Sequence, residues 1–292
     1  MSTPSTALAF IGFGEAACAF FDGWSLADPA RIRAYDCKTD HLDSAAEMRA
    51  RYASRSVTGC ADAADAVADA DAVFSLVTAD CALAAARQSA PFLRRGALWL
   101  DCNSCAPHSK QAAAEVIEAA GARYVDVAVM APVLPKRHHV PLLISGPHTE
   151  AAIVLLRSLD MRPTAAGAAV GQASSIKMLR SVMVKGIEAL SAECFLAARR
   201  AGVEAEVAAS LDASATALGW REQASYNLER MIVHGRRRAA EMREVALTVA
   251  ALGLPADMAT ATVAWQQRIG DAGVDAGDDT LDARLDKVSS AL

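Results

Sequence analysis

Gly12, Gly14 and Ala17 form a Gly-x-Gly-x-x-Ala turn directly after the apolar run Ala7 to Ile11, and Asp36 closes a second apolar run. Strand, glycine turn, helix, strand and acid, in this order, suit a dinucleotide. Gly12 permits the tight turn, Gly14 has no Cβ to keep backbone from a pyrophosphate, and Ala17 is small enough for close helix–strand packing. The N–H groups of the helix that starts over Phe13, Glu15 and Ala16 face the phosphates, at the positive end of the helix dipole. Asp36 lies 19 residues past Ala17, where a carboxylate reaches the adenosine ribose hydroxyls. The expected cofactor is NAD; NADP is possible because Lys38 stands two residues on.

A second set of chemical residues sits on a long apolar segment, Ser174 to Ala201, ended by Gly202. Ile176, Leu179, Met183, Ile187, Leu190, Cys194 and Ala197 recur at threes and fours, and Val182, Ala189, Ala192 and Leu196 are apolar too. A helix apolar nearly all round is expected to be buried and central. Ser174, Lys177, Ser181 and Glu188 then make a polar stripe on it. Lysine is seldom buried without a reason. Beside a nicotinamide cation its pKa falls, and it can take the proton of a substrate hydroxyl as hydride leaves. The other reading is a lysine snorkelling along a domain interface. Spacing alone leaves both open.

The elements that must position these groups alternate. Strands are expected at Ala7–Ile11, up to Asp36, at Val57–Cys60, Ala72–Val77, Ala97–Asp101 and Tyr124–Val129. Helices are expected after Gly14 through Trp24, and at Asp40–Ala53, Ala61–Ala70, Asp80–Ser89 and Pro107–Ala120. A shorter unit follows, with a strand at Pro141–Ser145, a helix at His148–Leu159 and a strand at Arg162–Ala166. Such alternation means a mostly parallel sheet, with ligands beyond the carboxyl ends of its strands. Val77, Thr78, Asp101 to Ser104 and Met130 to Pro132 lie at such ends. After Gly171 everything reads helical, down to an amphipathic segment, Thr280 to Leu292. The expected fold class is α/β: a Rossmann-type doubly wound parallel sheet over residues 1–168, then an all-α substrate and dimerisation domain over 169–292.

The chain has 292 residues, room for two domains, and is 53% hydrophobic and 22% charged, a globular composition. Its net charge of -5 gives no reason to expect a nucleic-acid partner. The apolar start has no basic flank and runs into the glycine turn, so it reads as a strand and the protein as cytoplasmic, with no membrane partner. Seven cysteines are scattered through apolar runs. Cys102 and Cys105 make a Cys-x-x-Cys, but no second pair completes a zinc or redox site. No metal is expected.

The stretches IGFGEAA (11–17), SLVTAD (75–80), DCNS (101–104), VDVAVMAP (125–132), GQASSIKMLRS (171–181) and ALSAECFLAARRAGV (189–203) resemble the β-hydroxyacid dehydrogenase superfamily, and more closely its 6-phosphogluconate-dehydrogenase-like members. The resemblance covers almost the whole length. It implies that Lys177, in a Gly-x-x-x-x-x-Lys segment, is the general acid/base, and that Asn103, with Ser104 beside it, lies near nicotinamide and substrate. It matches the shared, structural glutamate to Glu193 and implies a homodimer through the helical domain. Two departures stand out. Met130-Ala131-Pro132 replaces the Ser-Gly-Gly that holds a substrate carboxylate, and proline has no N–H to donate. Ser181 replaces the asparagine four residues after the lysine, with Arg180 before it.

A changed substrate site directs attention to two basic runs. Lys136, Arg137, His138 and His139 lie between Pro135 and Pro141, and His234 precedes Arg236, Arg237 and Arg238. Guanidinium groups bind carboxylate or phosphate bidentately, so His234, Arg237 and Arg238 are candidate anchors for an anionic small-molecule substrate. The bland reading is solvated surface with ion pairs to Glu241 and Glu244. His138 and His139 make a poor metal cage, being adjacent with no further ligand nearby in the chain. The run HGRRRAAEMREVA (234–246) resembles a distinct subgroup of these proteins. The expected function is hydride transfer between a nicotinamide cofactor and a small hydroxy compound, an acid by expectation, with Lys177 as base. The alternatives are an imine reductase, against which the retained Lys177 argues, and a non-catalytic dinucleotide-binding protein.

Overall fold

A computed structural model describes residues 6–24, 31–214, 219–277 and 280–292. The chain divides into two compact units, Met1–Lys177 and Met178–Leu292. The composition shift near residue 168 falls short of this division, which leaves the first turns of the long helix, Lys177 included, with the nucleotide unit.

In the first unit eight strands form one sheet in the order β3-β2-β1-β4-β5-β6-β7-β8. They are β1 (Leu8–Ile11), β2 (Arg33–Tyr35), β3 (Thr58–Gly59), β4 (Ala72–Ser75), β5 (Leu98–Asp101), β6 (Arg123–Val129), β7 (Pro141–Ser145) and β8 (Arg162–Gly167). All neighbours are parallel except β6 and β7, which run antiparallel. The central strands are mostly apolar because both faces are covered, with Ser75, Asp101 and Asp126 as polar exceptions. Phe10, Phe74, Leu100 and Val125 point into one core, and Ala9, Val73, Trp99 and Tyr124 into the other. The crossovers are α1 (Glu15–Phe21), α2 (Leu42–Ala53), α3 (Ala63–Val67), α4 (Ala82–Ser89), α5 (Pro107–Ala119) and α6 (Thr149–Ser158). Helix α1 stops at Phe21 rather than running to Trp24, and the segment before α2 is a 3-10 turn, Cys37–Asp40.

The helices that follow are α7 (Gln172–Ala201), α8 (Glu204–Ser214), α9 (Trp220–Ala251), α10 (Asp257–Asp271) and α11 (Leu281–Ala291). Phe195, Leu196, Leu228, Met231, Ile269, Leu281, Leu285 and Val288 make the main core of the second unit, so the terminal amphipathic helix packs there. Gly235 of α9 and Gly270 of α10 meet backbone to backbone. A Cβ on Gly235 would collide with the Gln266 carbonyl oxygen and stand 2.8 Å from the Gly270 Cα. Among the described residues no helix is long and apolar enough to cross a membrane.

Helix α7 corrects the sequence expectation. Five of its polar residues, Ser174, Ser181, Lys185, Glu188 and Ser191, are buried alongside Met178, Ala189, Ala192, Phe195 and Leu196. One apolar stripe instead faces outward in the single chain, with Ile176, Leu179, Met183, Ile187 and Leu190 all exposed, Met183 by 65%. The reason is that the polar groups find partners from distant elements. Asn227 Nδ2 donates to Ser191 Oγ at 3.0 Å, Lys185 pairs with Glu241 at 2.8 Å, and Arg238 pairs with Glu188.

Candidate functional site

The glycine turn stands at the carboxyl end of β1, where the parallel strands leave room for a ligand. Gly12 has φ +86, and a Cβ there would collide with the Leu76 carbonyl, so only glycine fits this bend. Gly14 has a different reason. A Cβ on it meets no heavy atom within 4 Å, so the space beside the start of α1 is open to a phosphate. Glu15 is exposed and Ala16 half-buried on the first turn of α1. Phe13 acts through its backbone. Its ring is buried with Phe10, Phe21 and Tyr52, and its N–H donates to Asp36 Oδ2 at 2.8 Å. Asp36 Oδ1 accepts from the Lys38 N–H at 3.0 Å. The carboxylate thus ties the glycine turn to the end of β2, and each oxygen keeps a lone pair for a hydroxyl donor. These residues fit a dinucleotide.

Two further strand ends meet at Asn103. Its Nδ2 donates to Ser75 Oγ at 2.9 Å and to Asp101 Oδ1 at 2.7 Å, and its Oδ1 accepts from the Val77 N–H at 2.7 Å. Both amide hydrogens are engaged and the residue is buried. Asn103 therefore holds the end of β4 against the end of β5, and Thr78 stays exposed on the following turn. What the Asn103 anchor presents is Ser104. Its Oγ accepts from Lys177 Nζ at 2.6 Å. Lys177 is half-buried rather than enclosed, so the argument from complete burial does not apply to it.

The enclosed lysine is instead Lys110, which no motif in the sequence singles out. Lys110 is fully buried and lies between two buried carboxylates, at 3.0 Å from Asp101 and 3.4 Å from Asp126. Its Nζ also donates to the Asp101 carbonyl at 2.6 Å. Burial works against its charge, but Asp101 and Asp126 outweigh burial and hold it above the usual lysine range. Tyr124 donates its hydroxyl to Asp101 Oδ2 at 2.7 Å and is held well above the ordinary tyrosine value by burial and by the two carboxylates. Asp126 Oδ2 accepts from the Ser145 hydroxyl, from the Gly171 N–H, and from both the N–H and the hydroxyl of Ser174. One carboxylate thus fixes the turn that carries Ser104, the other fixes the start of the helix that carries Lys177, and Lys110 joins them. The sequence held a signal for this: Lys110, Ala113, Ala114 and Ile117 share one buried face of α5, so the lysine stands on an apolar stripe. Beside the cluster, burial pushes the Cys102 thiol up to about 12 against the pull of Lys110. Cys102 and Cys105 are both buried and outside any disulfide, and Cys105 Sγ donates to the Ala79 carbonyl.

The expected substrate residues fare unequally. The Met130 N–H donates to the Pro141 carbonyl at 2.9 Å and Ala131 packs against the sheet core, so neither the Met130 N–H nor Pro132 supplies a free donor. In the second unit Ser181 is buried. Arg238 is buried on Glu188, Arg236 is exposed on Asp271 at 2.7 Å, and Arg237 is exposed at 4.0 Å from Glu241. The expectation of an arginine free to anchor an anion is corrected for Arg238, whose charge is matched by a carboxylate of its own core. His234 is lowered to about 4 by burial and by Arg237, Arg230 and Arg238. It is neutral at pH 7 and brings no charge to an anion. The side chain of Glu193 lies outside the described residues.

Residues 8–150 match the NAD binding domain of 6-phosphogluconate dehydrogenase, and residues 198–269 match a domain of unknown function (DUF1932). A conserved hypothetical protein from Sinorhizobium meliloti is 37% identical over 99% of this chain and 98% of its own, with a TM-score of 0.75. A conserved protein of unknown function, described as structurally similar to 3-hydroxyacid dehydrogenases, is 28% identical over 90% of this chain and 96% of its own, with a TM-score of 0.67. The 3-hydroxyisobutyrate dehydrogenase of Mycobacterium tuberculosis, solved with L-serine, shares the fold at 17% identity. It covers 97% of this chain and 99% of its own, with a TM-score of 0.72.

Proposed function

From the match of residues 8–150 to the NAD binding domain of 6-phosphogluconate dehydrogenase, we propose that this chain belongs to the β-hydroxyacid dehydrogenase family and oxidises a small hydroxy compound with Lys177 as general base. The observation that carries the reading is the 2.6 Å hydrogen bond between Lys177 Nζ and Ser104 Oγ, at the carboxyl end of β5. When bound, the nicotinamide supplies the hydride acceptor. Gly12, Gly14, the first turn of α1 and Asp36 hold the dinucleotide. Ser104 orients the Lys177 amine, whose Nζ takes the hydroxyl proton as the carbinol carbon loses hydride. Asp36 favours NAD, because a carboxylate beside a 2′-phosphate is repelled at a cost of roughly a few kcal/mol. The substrate class is a small hydroxyacid, held by groups other than a Ser-Gly-Gly turn. A second reading, a dinucleotide-binding protein without turnover, is favoured by the engagement of the Met130 N–H with Pro141.

The test is a screen of the full chain with NAD and NADP against small hydroxyacids, their phosphorylated forms and simple alcohols, with NADH and NADPH binding followed by fluorescence. Turnover is expected with NAD, and Lys177→Met should keep NADH affinity while losing about 10² to 10⁴ in rate. Wild-type rates in that variant would make Lys177 structural. Cofactor binding without turnover on any compound would favour the second reading, and tighter NADPH binding would remove the role given to Asp36.

We propose further that the outward stripe of α7, Met183, Ile187 and Leu190, is covered by a second copy of the chain. Sedimentation velocity should report a dimer that Ile187→Glu dissociates, and a monomeric wild type would refute it.

A further inference from the structure

Strands β7 and β8 run side by side in parallel, with Pro141 opposite Arg162. The residues just before each strand therefore meet. Before β7 stands a 3-10 turn, Arg137–His139, and before β8 stands Asp160. The fold brings to the histidine pair the third ligand that its own stretch of sequence lacks.

Asp160 Oδ2 lies 2.8 Å from His139 Nε2 and 3.7 Å from His138 Nε2. One carboxylate oxygen is thus faced by two imidazole nitrogens, and only the nearer is within hydrogen-bond distance. His138 is 8% exposed, and its other nitrogen, Nδ1, is buried against Gly23 without a partner. The ring can therefore make its polar contact through Nε2 alone. The two rings stack with centroids 3.9 Å apart, an arrangement that two imidazolium cations would oppose. Arg162 Nη1 donates to Asp160 Oδ1 at 2.8 Å, which fixes the carboxylate and leaves Oδ2 turned to the histidines. Outer contacts of this kind orient metal-binding carboxylates.

The geometry points to a zinc site formed by His138 Nε2, His139 Nε2 and Asp160 Oδ2. The three ligand atoms lie within 4.8 Å of one another. Bonds of about 2.0–2.2 Å to a tetrahedral ion set such atoms roughly 3.5 Å apart, so the 2.8 Å contact must open and the wider ones close, a shift that the half-exposed His139 ring can supply by rotation. Two imidazoles and a carboxylate suit zinc, with water in the fourth position. The ion takes the place of the proton that His139 Nε2 shares with Asp160, and that proton leaves to solvent or moves to Nδ1. It would clasp the loop that follows β6 to the start of β8. The site is independent of the proposed oxidoreductase reaction.

The experiment uses the tag-free full chain stripped with a chelator. Cobalt(II) is added and followed by visible absorption, then displaced by zinc, whose affinity is measured against a chromogenic chelator. One equivalent with the intense spectrum of four-coordinate cobalt is expected. Loss of outer partners commonly weakens metal sites about 10- to 100-fold, so His139→Gln and Asp160→Asn, which remove direct ligands, should each exceed that range. His148→Gln, a histidine paired with Glu118, should leave binding unchanged. His139 and Asp160 side chains are 43% and 66% exposed, so both variants should fold, and circular dichroism checks this. Absence of the four-coordinate spectrum, millimolar binding only, or tight binding that survives both variants would each overturn the site.

Discussion

Lys110 in the first unit and Arg238 in the second each carry a cation into a core, and the company they keep differs. Lys110 faces two carboxylates, and around them Tyr124, Asn103, Ser145, Gly171 and Ser174 donate hydrogen bonds. Arg238 faces Glu188, which also accepts from Gln266 at 2.9 Å, yet Arg238 Nε and Gln266 Oε1 are buried without partners. Burial raises the Glu188 carboxyl, and Arg238, Gln266 and Lys185 lower it without cancelling the rise. The first cluster ties two strand ends and the start of α7 together beneath the Ser104–Lys177 pair, with Asp126 Oδ1, 3.4 Å from Lys110 Nζ, its one oxygen held by charge without a hydrogen bond. The second retains a carboxylate that can take up a proton when its partner is removed. Buried ions thus hold geometry to the extent that charge and hydrogen bonds compensate them.

The largest effect expected is at Lys110. Lys110→Met leaves two buried carboxylates uncompensated and should cost about 3–5 kcal/mol, as broken buried pairs do. Urea unfolding measures it, and a loss below about 1 kcal/mol would dissolve the contrast, being the size of a surface pair. Arg238→Met should cost less, below about 3 kcal/mol at pH 7, because Glu188 can protonate. Its deficit should shrink at pH 5, where the proton is more available. A deficit that grows on acidification would contradict this.

His234 sharpens the comparison at the smallest scale. Its folded pKa is depressed, so its contribution is present above the unfolded value of 6.5 and is lost as pH falls from there toward about 4. His234→Gln has no such term. The wild type should lose a few degrees of Tm more than the variant between pH 7 and 5, at roughly 2–4 °C per kcal/mol for a protein of this class. Parallel curves would show that His234 is not held neutral.

The strands and the glycine turn are legible in the sequence because their signals are local. An apolar run of four residues, a glycine and a following helix lie within one stretch. Helix α7 shows where locality ends. Periodicity identified its two stripes but not which one faces inward, since that depends on Asn227, Arg238, Gln266 and Glu241, each dozens of residues away. Asn103 was recognisable as important, while its engagement with Ser75 and Val77 depends on where β4 lies beside β5. Asp160 is equally silent until β7 and β8 pair.

The crossing of α9 and α10 has a consequence for how this protein can vary. Where side chains separate two helices, a methyl lost on one can be regained on the other. At Gly235 and Gly270 backbone touches backbone, and no side chain remains to trade. That point cannot drift by small compensating exchanges. Among divergent descendants of this sequence the helices are free to tilt and slide about it, and it should stay in register, a pivot for the rest.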